Sequence, residues 1–429
     1  MDWKTTYAEK LVSAAEAVKY VRSGDTVVVQ QAAGTATYLL DALADRADEL
    51  EDVKIIAHNL WQPPRFLEPQ YAGIFRHISQ FLDRGTRQAY REGRVDMLPA
   101  FYYQMPKYYR EHPADVFFVM LTEPDEEGFC SYALNADYSV ANMEAAKLVI
   151  AQINPSLPWT YGAKVSMEEL DYVVFHDQPL PELVRSRTGG VEEQIAAHIV
   201  PHIQDGACLQ LGIGGLPDAI LGFLKNKKHL GIHSEVLSDG IIDLYESGAI
   251  DNSQKNLDRG KMVANFLIGT KRLFDFADHN PDLLVLPVDY TNDPYVIAQN
   301  DHVISINSCL QVDLLGQVNA DTIGGKQYSG CGGQIDFVRG AQMSKGGKSF
   351  ITLPSTAKGG TISRVVAHLE TGTPVTTSRF DVQYICSEYG AVNLFGLTVS
   401  QRAEALISIA HPAFREELRR QAVEEGLIW

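Results

Sequence analysis

Five cysteines in 429 residues, none in a C-x-x-C pair, leave the chain without a disulfide framework or a zinc-ligand pattern. No apolar run approaches the roughly 20 residues a membrane span needs. The start, Met1-Asp2-Trp3-Lys4-Thr5, has no basic-then-apolar leader pattern. Cations are scarce too: 37 Lys and Arg stand against 54 Asp and Glu, for a net charge of −17. A surface of that sign repels nucleic acid and anionic lipid. The expectation is a cytoplasmic protein with neither nucleic-acid nor membrane partners. A polyanionic ligand would have to find backbone donors and local cations, for which Lys225, Lys227, Lys228, Lys345, Lys348 and Lys358 are the candidates.

What is present is ordinary globular material, 45% apolar and 21% charged, in a chain long enough for two domains. Apolar runs such as Val116 to Met120 and Val303 to Ile306 are bounded by turn residues and alternate with helical patterns. That alternation predicts buried, mostly parallel strands. The second half repeats the layout of the first. Aligning Asp25 with Asp205 pairs Gln30 with Gln210 and Gly34 with Gly214, each in a strand, small-residue turn and helix. The expected fold class is α/β, with two similar open domains: residues 1–185, and residues 186–429. The join falls near Pro179 to Thr188, where prolines and polar residues interrupt the periodicity. An amphipathic helix is expected from Thr6 to Arg22, helices at Tyr38 to Ala44 and Ala219 to Leu224, and a C-terminal helix pair broken at His411-Pro412.

The most informative stretch is Leu209-Gln210-Leu211-Gly212-Ile213-Gly214-Gly215-Leu216-Pro217-Asp218, followed by Gly231-Ile232-His233-Ser234-Glu235. It reads as a buried strand, a glycine turn, a helix start, and a second strand ending in a carboxylate. Glycines let backbone approach a ligand, and the helix N-terminus offers N–H groups to an anion. Glu235 would then stand at the carboxyl end of its strand, where open α/β sheets hold ligands. Two further glycine-rich loops follow, Ser329 to Phe337 and Ser344 to Lys348, the latter continuing to Lys358-Gly359-Gly360. Their amides can cradle an anion or a developing oxyanion. A dinucleotide reading competes: Gly212-x-Gly214-x-x-Pro217 lacks the third glycine of that fingerprint, yet Glu235 lies about twenty residues on, where a ribose-binding acid is expected. By this reading the protein would be an NAD-binding oxidoreductase.

Taken in order, several motifs resemble one family across nearly the whole chain. They include Phe75-Arg76-His77, Asp137-Tyr138, Gly212 to Ala219 and His233-Ser234-Glu235. They continue through Ile306-Asn307-Ser308, Gly316-Gln317-Val318, Ser329 to Phe337, Val375 to Arg379, Ser387-Glu388-Tyr389-Gly390 and Ile409-Ala410-His411-Pro412. The chain resembles class I coenzyme A transferases of the acetyl-CoA hydrolase/transferase group, near those acting on 4-hydroxybutyrate and butyrate. The resemblance implies an active site at the domain interface with Glu235 as catalytic nucleophile. It implies CoA contacts from Gly212, Ile213, Gly214, Gly215, Leu216, Gly333 and Lys358, and substrate or oxyanion contacts from Asn307 and Gly332. CoA would be a substrate, with no permanently bound cofactor and no metal. The implied reaction moves CoA between a short-chain acyl-CoA and a free carboxylate (4-hydroxybutyrate, butyrate, propionate or acetate) through a glutamyl-CoA thioester, in a homo-oligomer that is a dimer or dimer of dimers. Acyl-CoA hydrolysis is the nearest alternative. Cys331, and Cys386-Ser387 before the Glu-Tyr-Gly, depart from the family pattern and put acyl-pocket shape in question.

Other residues read as structural. His233 is expected to be a satisfied core histidine, Asp218 an early-helix acid, and Asp239 and Asp336 loop anchors. Glu388 is likewise structural. Phe101-Tyr102-Tyr103 and Tyr108-Tyr109 are packing aromatics.

Overall fold

The computed structural model describes residues 2–183 and 188–429. The chain forms two compact units, Met1–Leu183 with Val263–Thr291, and Val184–Met262 with Asn292–Trp429. The expected boundary between 185 and 186 lies outside the described residues. The return of Val263–Thr291 to the first unit carries no mark in the sequence. Among the described residues no helix is long and apolar enough to cross a membrane.

In the first unit, seven strands form one sheet: β1 (Thr26–Val29), β2 (Val53–Ala57), β3 (Phe75–Ser79), β4 (Val95–Met97), β5 (Val116–Leu121), β6 (Val149–Ile153) and β7 (Tyr172–Phe175). Their order is β7-β6-β5-β1-β2-β3-β4, and every pairing is parallel. The Val and Phe of β1 and β5 are buried, as strands covered on both faces require. The chain runs outward from β1 to β4, then resumes on the other side at β5. This makes β1 the strand at the topological switch.

The second unit repeats this scheme. Strands β8 (Cys208–Leu211), β9 (Gly231–Ile232), β10 (Val303–Ser308), β11 (Lys348–Thr352), β12 (Tyr384–Ser387) and β13 (Gly390–Asn393) lie in the order β9-β8-β10-β11-β12-β13. Only the β12–β13 pairing in this sheet is antiparallel. Here β8 takes the place of β1, with the switch between β8 and β10. The anticipated echo is real at its polar end as well. Gln30 follows β1, donates to the Asn135 carbonyl and accepts from the Met120 N–H; Gln210, next to last in β8, accepts from Ser305 and Asn307.

The helices follow local signals in most places. Helix α1 (Thr37–Ala44) and helix α2 (Gly215–Phe223) each follow the turn after the switch strand. Helix α3 (Gln334–Met343) opens directly after Gly333. The C-terminal pair, α4 (Val399–Ile409) and α5 (Pro412–Glu424), breaks at His411-Pro412, and the His411 ring accepts from the Ala413 N–H. The continuous helix expected over Thr6 to Arg22 is not formed. Short helices occupy Trp3–Thr6 and Ala14–Ala17 instead. Between them Leu11 bridges Val173, and the Lys10 ammonium donates to the carbonyls of Met167, Glu168 and Leu170. Tertiary pairing with the edge of the sheet outcompetes helical periodicity there, and Ser13 restarts the helix with a capping box.

One buried charge fixes β9, the strand that leads to Glu235. Lys255 is buried, and its ammonium donates to the carbonyls of Ile232, at 2.9 Å, and Lys261, at 2.7 Å. Its stem packs so closely on Gly231 that a Cβ there would come within 2.6 Å of Lys255 Cγ. Burial holds the ammonium below the usual lysine range. Lys255→Met keeps the stem but leaves two carbonyls unsatisfied. It is expected to destabilise the protein by about 2–4 kcal/mol, read as a lower thermal midpoint by calorimetry.

Candidate active site

The carboxyl ends of β8, β9 and β10 converge at the switch point of the second unit. Glu235 stands three residues past β9. The Ser234 hydroxyl, just before it, donates to the Leu211 carbonyl at 3.1 Å, tying the two strand ends together. Beneath them Leu209, Leu221, Ile232 and Ile241 line a void of about 10 Å³, room for no more than one water. That floor is mostly aliphatic, with Ser234 and Ser238 also in the lining.

Above that floor the Glu235 carboxylate is held by two donors. Asn292 Nδ2 lies 2.7 Å from Oε2, and the Gly333 backbone N–H donates to the same carboxylate. Asn292 also donates to Asp336 Oδ2, at 3.3 Å. Both Asn292 and Asp336 are fully buried, while Glu235 keeps partial accessibility. Burial pushes the Glu235 carboxyl up to about 7, against the opposing pull of the Asn292 and Gly333 hydrogen bonds. A glutamate so poorly solvated titrates near neutrality rather than in the acid range and is more basic than one in water. Both properties suit a nucleophile more than a structural acid.

Gly333 must be glycine for steric reasons. A Cβ there would collide with Glu235 Oε2 and Asn292 Nδ2 and come within 3.1 Å of Glu235 Cδ. Its φ of −89° would suit any residue, so the constraint comes from the site. Gly332 alongside has φ +52°, a left-handed conformation that favours glycine. Gly212 and Gly214 differ in kind. A Cβ on either meets nothing within 4 Å, so the space before the loop Gly212 to Leu216 is open. Gly214 has φ +115° and begins α2 without a side-chain cap, leaving first-turn N–H groups available to a ligand. Ile213 is exposed at the tip of the loop.

Asn307 sits at the end of β10 in a cluster of amides and hydroxyls. Its Nδ2 donates to Gln210 Oε1 at 3.1 Å and to Ser305 Oγ at 2.9 Å, and Ser305 donates to Gln210 Oε1 at 2.8 Å. Next to Asn307, the Ser308 carbonyl accepts from Gln334, the residue after Gly333, at 2.8 Å. Gln334 in turn accepts from the Thr377 hydroxyl at 2.8 Å. Lys358 stands exposed at the turn between Thr356–Ala357 and Ile362–Ser363, with φ +49°. Glu388 accepts from the backbone N–H and the hydroxyl of Ser355, which anchors the chain entering that hairpin. None of the five cysteines is in a disulfide; Cys331 is half-buried and the other four are buried. Burial, reinforced by the charges of Asp336, Asp321 and Glu235, pushes the Cys331 thiol up to about 12.

The structure thus joins Glu235 directly to Gly333 and places Asn307 near the end of β10, on the far side of β8 from the strand that leads to Glu235. Three participants escaped the sequence reading. Asn292 lies in Tyr290-Thr291-Asn292-Asp293-Pro294, which signals only a turn. Ser305 is one of many strand serines. Gln210 was visible only as the counterpart of Gln30.

A buried carboxylate held by two fixed donors beside glycine-rich loops is an arrangement able to carry acyl transfer. Residues 1–184 match the acetyl-CoA hydrolase/transferase N-terminal domain and residues 269–422 its C-terminal domain. The chain is 45% identical to the 4-hydroxybutyrate coenzyme A transferase of Clostridium kluyveri, over 98% of this chain and 99% of that one. It is 38% identical to the butyryl-CoA:acetate CoA-transferase of Anaerostipes caccae, over 100% and 99%. The crystal structure of RipA from Yersinia pestis superposes over the full length of both chains with a TM-score of 0.95 at 37% identity. This protein belongs to the acetyl-CoA hydrolase/transferase family. The oxidoreductase reading of the glycine turn has no support among these relatives.

Proposed function

We propose that the protein is a CoA-transferase that moves coenzyme A between a short-chain acyl-CoA and a free carboxylate, with Glu235 as nucleophile. The observation that carries this reading is the Glu235 carboxylate itself: desolvated, raised to about 7, and fixed by Asn292 and Gly333.

Four steps balance without proton transfer. A Glu235 oxygen attacks the thioester carbonyl, the C–S bond breaks, and CoA thiolate leaves a mixed acyl-glutamyl anhydride. The thiolate attacks Glu235 Cδ and the first carboxylate departs, leaving a glutamyl-CoA thioester. An incoming carboxylate attacks the same Cδ and re-expels the thiolate. The thiolate then takes the new acyl group and frees Glu235. This is nucleophilic catalysis with ping-pong kinetics.

Asn292 and the Gly333 N–H support it by holding the nucleophile in place before reaction. The open loop Gly212 to Leu216 and the start of α2 suit the anionic and carbonyl groups of the CoA tail. Binding of that remote tail can help drive the sulfur into the buried site. Asn307 is the candidate donor to the acyl oxygen, which it meets by turning an N–H away from Gln210 or Ser305, and Lys358 is a candidate for a CoA phosphate. The two curated relatives act on different acids by name, so 4-hydroxybutyrate, butyrate, propionate and acetate are the acids to test first.

The test has two arms. Loss of butyryl-CoA is followed with and without acetate; a transferase requires the acetate, whereas equal rates would make the protein a hydrolase. Borohydride added after acyl-CoA alone should then reduce Glu235 to its alcohol, found by peptide mass mapping. Labelling of another residue would refute the nucleophile.

A further inference from the structure

We propose that Asp336 is a positioning residue that acts through Asn292, holding its carboxamide so that N–H rather than C=O faces Glu235. This rests on Glu235 being the nucleophile and adds the device that keeps it aimed.

A carboxamide is nearly symmetric in shape, so its nitrogen and oxygen can exchange places by a half-turn. Opposite an ionised Glu235 the N–H orientation is preferred. Opposite a protonated Glu235 the flipped one is equally good, because the acid can donate to Asn292 Oδ1. Because Glu235 titrates near neutrality, its hydrogen bond does not by itself fix the orientation of the Asn292 carboxamide. The second contact removes that freedom. Asn292 Nδ2 spans Glu235 Oε2, at 2.7 Å, and Asp336 Oδ2, at 3.3 Å, and a carboxylate only accepts. Flipping would then set Asn292 Oδ1 against the Asp336 oxygen.

The placement is economical. Gly333, whose N–H holds Glu235, immediately precedes α3, and Asp336 follows one helical turn later, so both face the same side. One helix start thus supplies a direct donor to the nucleophile and the acceptor that orients the second donor. Among the described residues, Cys331 feels the charges of Asp336, Asp321 and Glu235. The Cys331 thiol, pushed up to about 12, stays neutral through the working range. The buried His233 ring lies 6.4 Å from that of Phe337, the residue after Asp336.

Asp336→Asn is nearly isosteric and gives residue 336 a donor that can hold Asn292 in the flipped state. The expected result is a kcat lower by roughly 10–100-fold, the value of one hydrogen bond to a charged group. The KM for butyryl-CoA should stay within about twofold, since the CoA-binding loop is untouched. The ionisation limb of the kcat/KM profile should move to higher pH, because a carbonyl facing Glu235 favours its protonated form. Asp336→Glu, which keeps an acceptor-only group, should return that limb to its wild-type position. It also serves if the asparagine variant does not fold. In an Asn292→Ala background Asp336→Asn should change nothing further, as expected for an effect that passes through Asn292. Wild-type kcat and limb in Asp336→Asn would overturn the proposal. So would equal impairment of both Asp336 variants with an unmoved limb, or an Asp336→Asn effect undiminished without Asn292. Glu235→Gln, run alongside, separates the two ideas: activity there would remove the nucleophile itself, whereas its loss together with an indifferent Asp336 would remove only the positioning.

Discussion

Replacing Glu235 by glutamine is expected to lower kcat for acyl exchange by at least about 10³-fold, the scale on which enzymes lose a covalent nucleophile, and to stabilise the fold above neutral pH. Glutamine preserves shape and can still accept from Asn292 and Gly333. It cannot form the anhydride, so the chemical loss is not a packing loss. The stability change follows from the carboxyl's raised position, about 7 in the folded chain against the usual 4.5. Below pH 4.5 the acid is protonated in both states and the variant gains nothing. Between 4.5 and 7 the unfolded chain ionises Glu235 while the folded chain resists, so the wild type loses stability that the variant keeps. Above 7 the gap is constant. The full difference corresponds to on the order of 3 kcal/mol, and the partial accessibility of the residue reduces it to about 1–3 kcal/mol. Thermal midpoints measured at pH 4.5, 6 and 8 should therefore diverge with rising pH, the variant melting higher. Coincident curves at pH 8 would mean that Glu235 is well solvated, and would remove the physical basis for its reactivity.

The ease with which Glu235 stands out in the sequence, and the silence about its partners, have the same origin. A carboxylate at a strand end, two dozen residues after a glycine turn, is a local pattern, and the chain order that produces it is the order of β8, α2 and β9. The architecture was legible for the same reason. Buried runs such as Val116 to Leu121 and the matched grammar around Gln30 and Gln210 are short-range signals, and both sheets follow from them. Asn292 reaches Glu235 across 57 positions and Asp336 across 44, and no spacing rule links them. Asp336 could be recognised as an anchor, but what it anchors is set by the approach of α3 to the segment after Thr291. The same limit explains the error over Thr6 to Arg22. Its apolar periodicity is genuine, yet Leu11 and Lys10 are claimed by β7 and the Met167–Leu170 turn, contacts more than 150 residues away in the chain. The inclusion of Val263–Thr291 in the first unit is equally a tertiary fact, since that stretch alternates strand and helix like its surroundings.

Gly333→Ala is the other substitution expected to have a large effect, and it tests geometry where Glu235→Gln tests chemistry. With φ at −89° and ψ at 13°, alanine fits the backbone, so the helix start and the fold should survive with a thermal midpoint within a few degrees of wild type. The methyl has no room. It would occupy the position of Glu235 Oε2 and crowd Asn292 Nδ2, so the carboxylate must swing away from both of its donors. Relief is inexpensive for stability, because Glu235 is the flexible end of a side chain with a partly open face, and freeing it toward solvent lets its pKa fall toward that of an ordinary glutamate. The consequence for the proposed mechanism is severe: Glu235 becomes better solvated, less basic and misplaced. The expected loss is about 10²–10³-fold in kcat, the magnitude associated with removing a preset donor from an acyl-transfer site, with little change in KM for the acyl-CoA. The acidic limb of the kcat/KM profile should move to lower pH at the same time, opposite in direction to the shift expected for Asp336→Asn. An active Gly333→Ala enzyme, within tenfold of wild type and with its limb unmoved, would show that the contact between Gly333 and Glu235 is not the arrangement in which the reaction occurs.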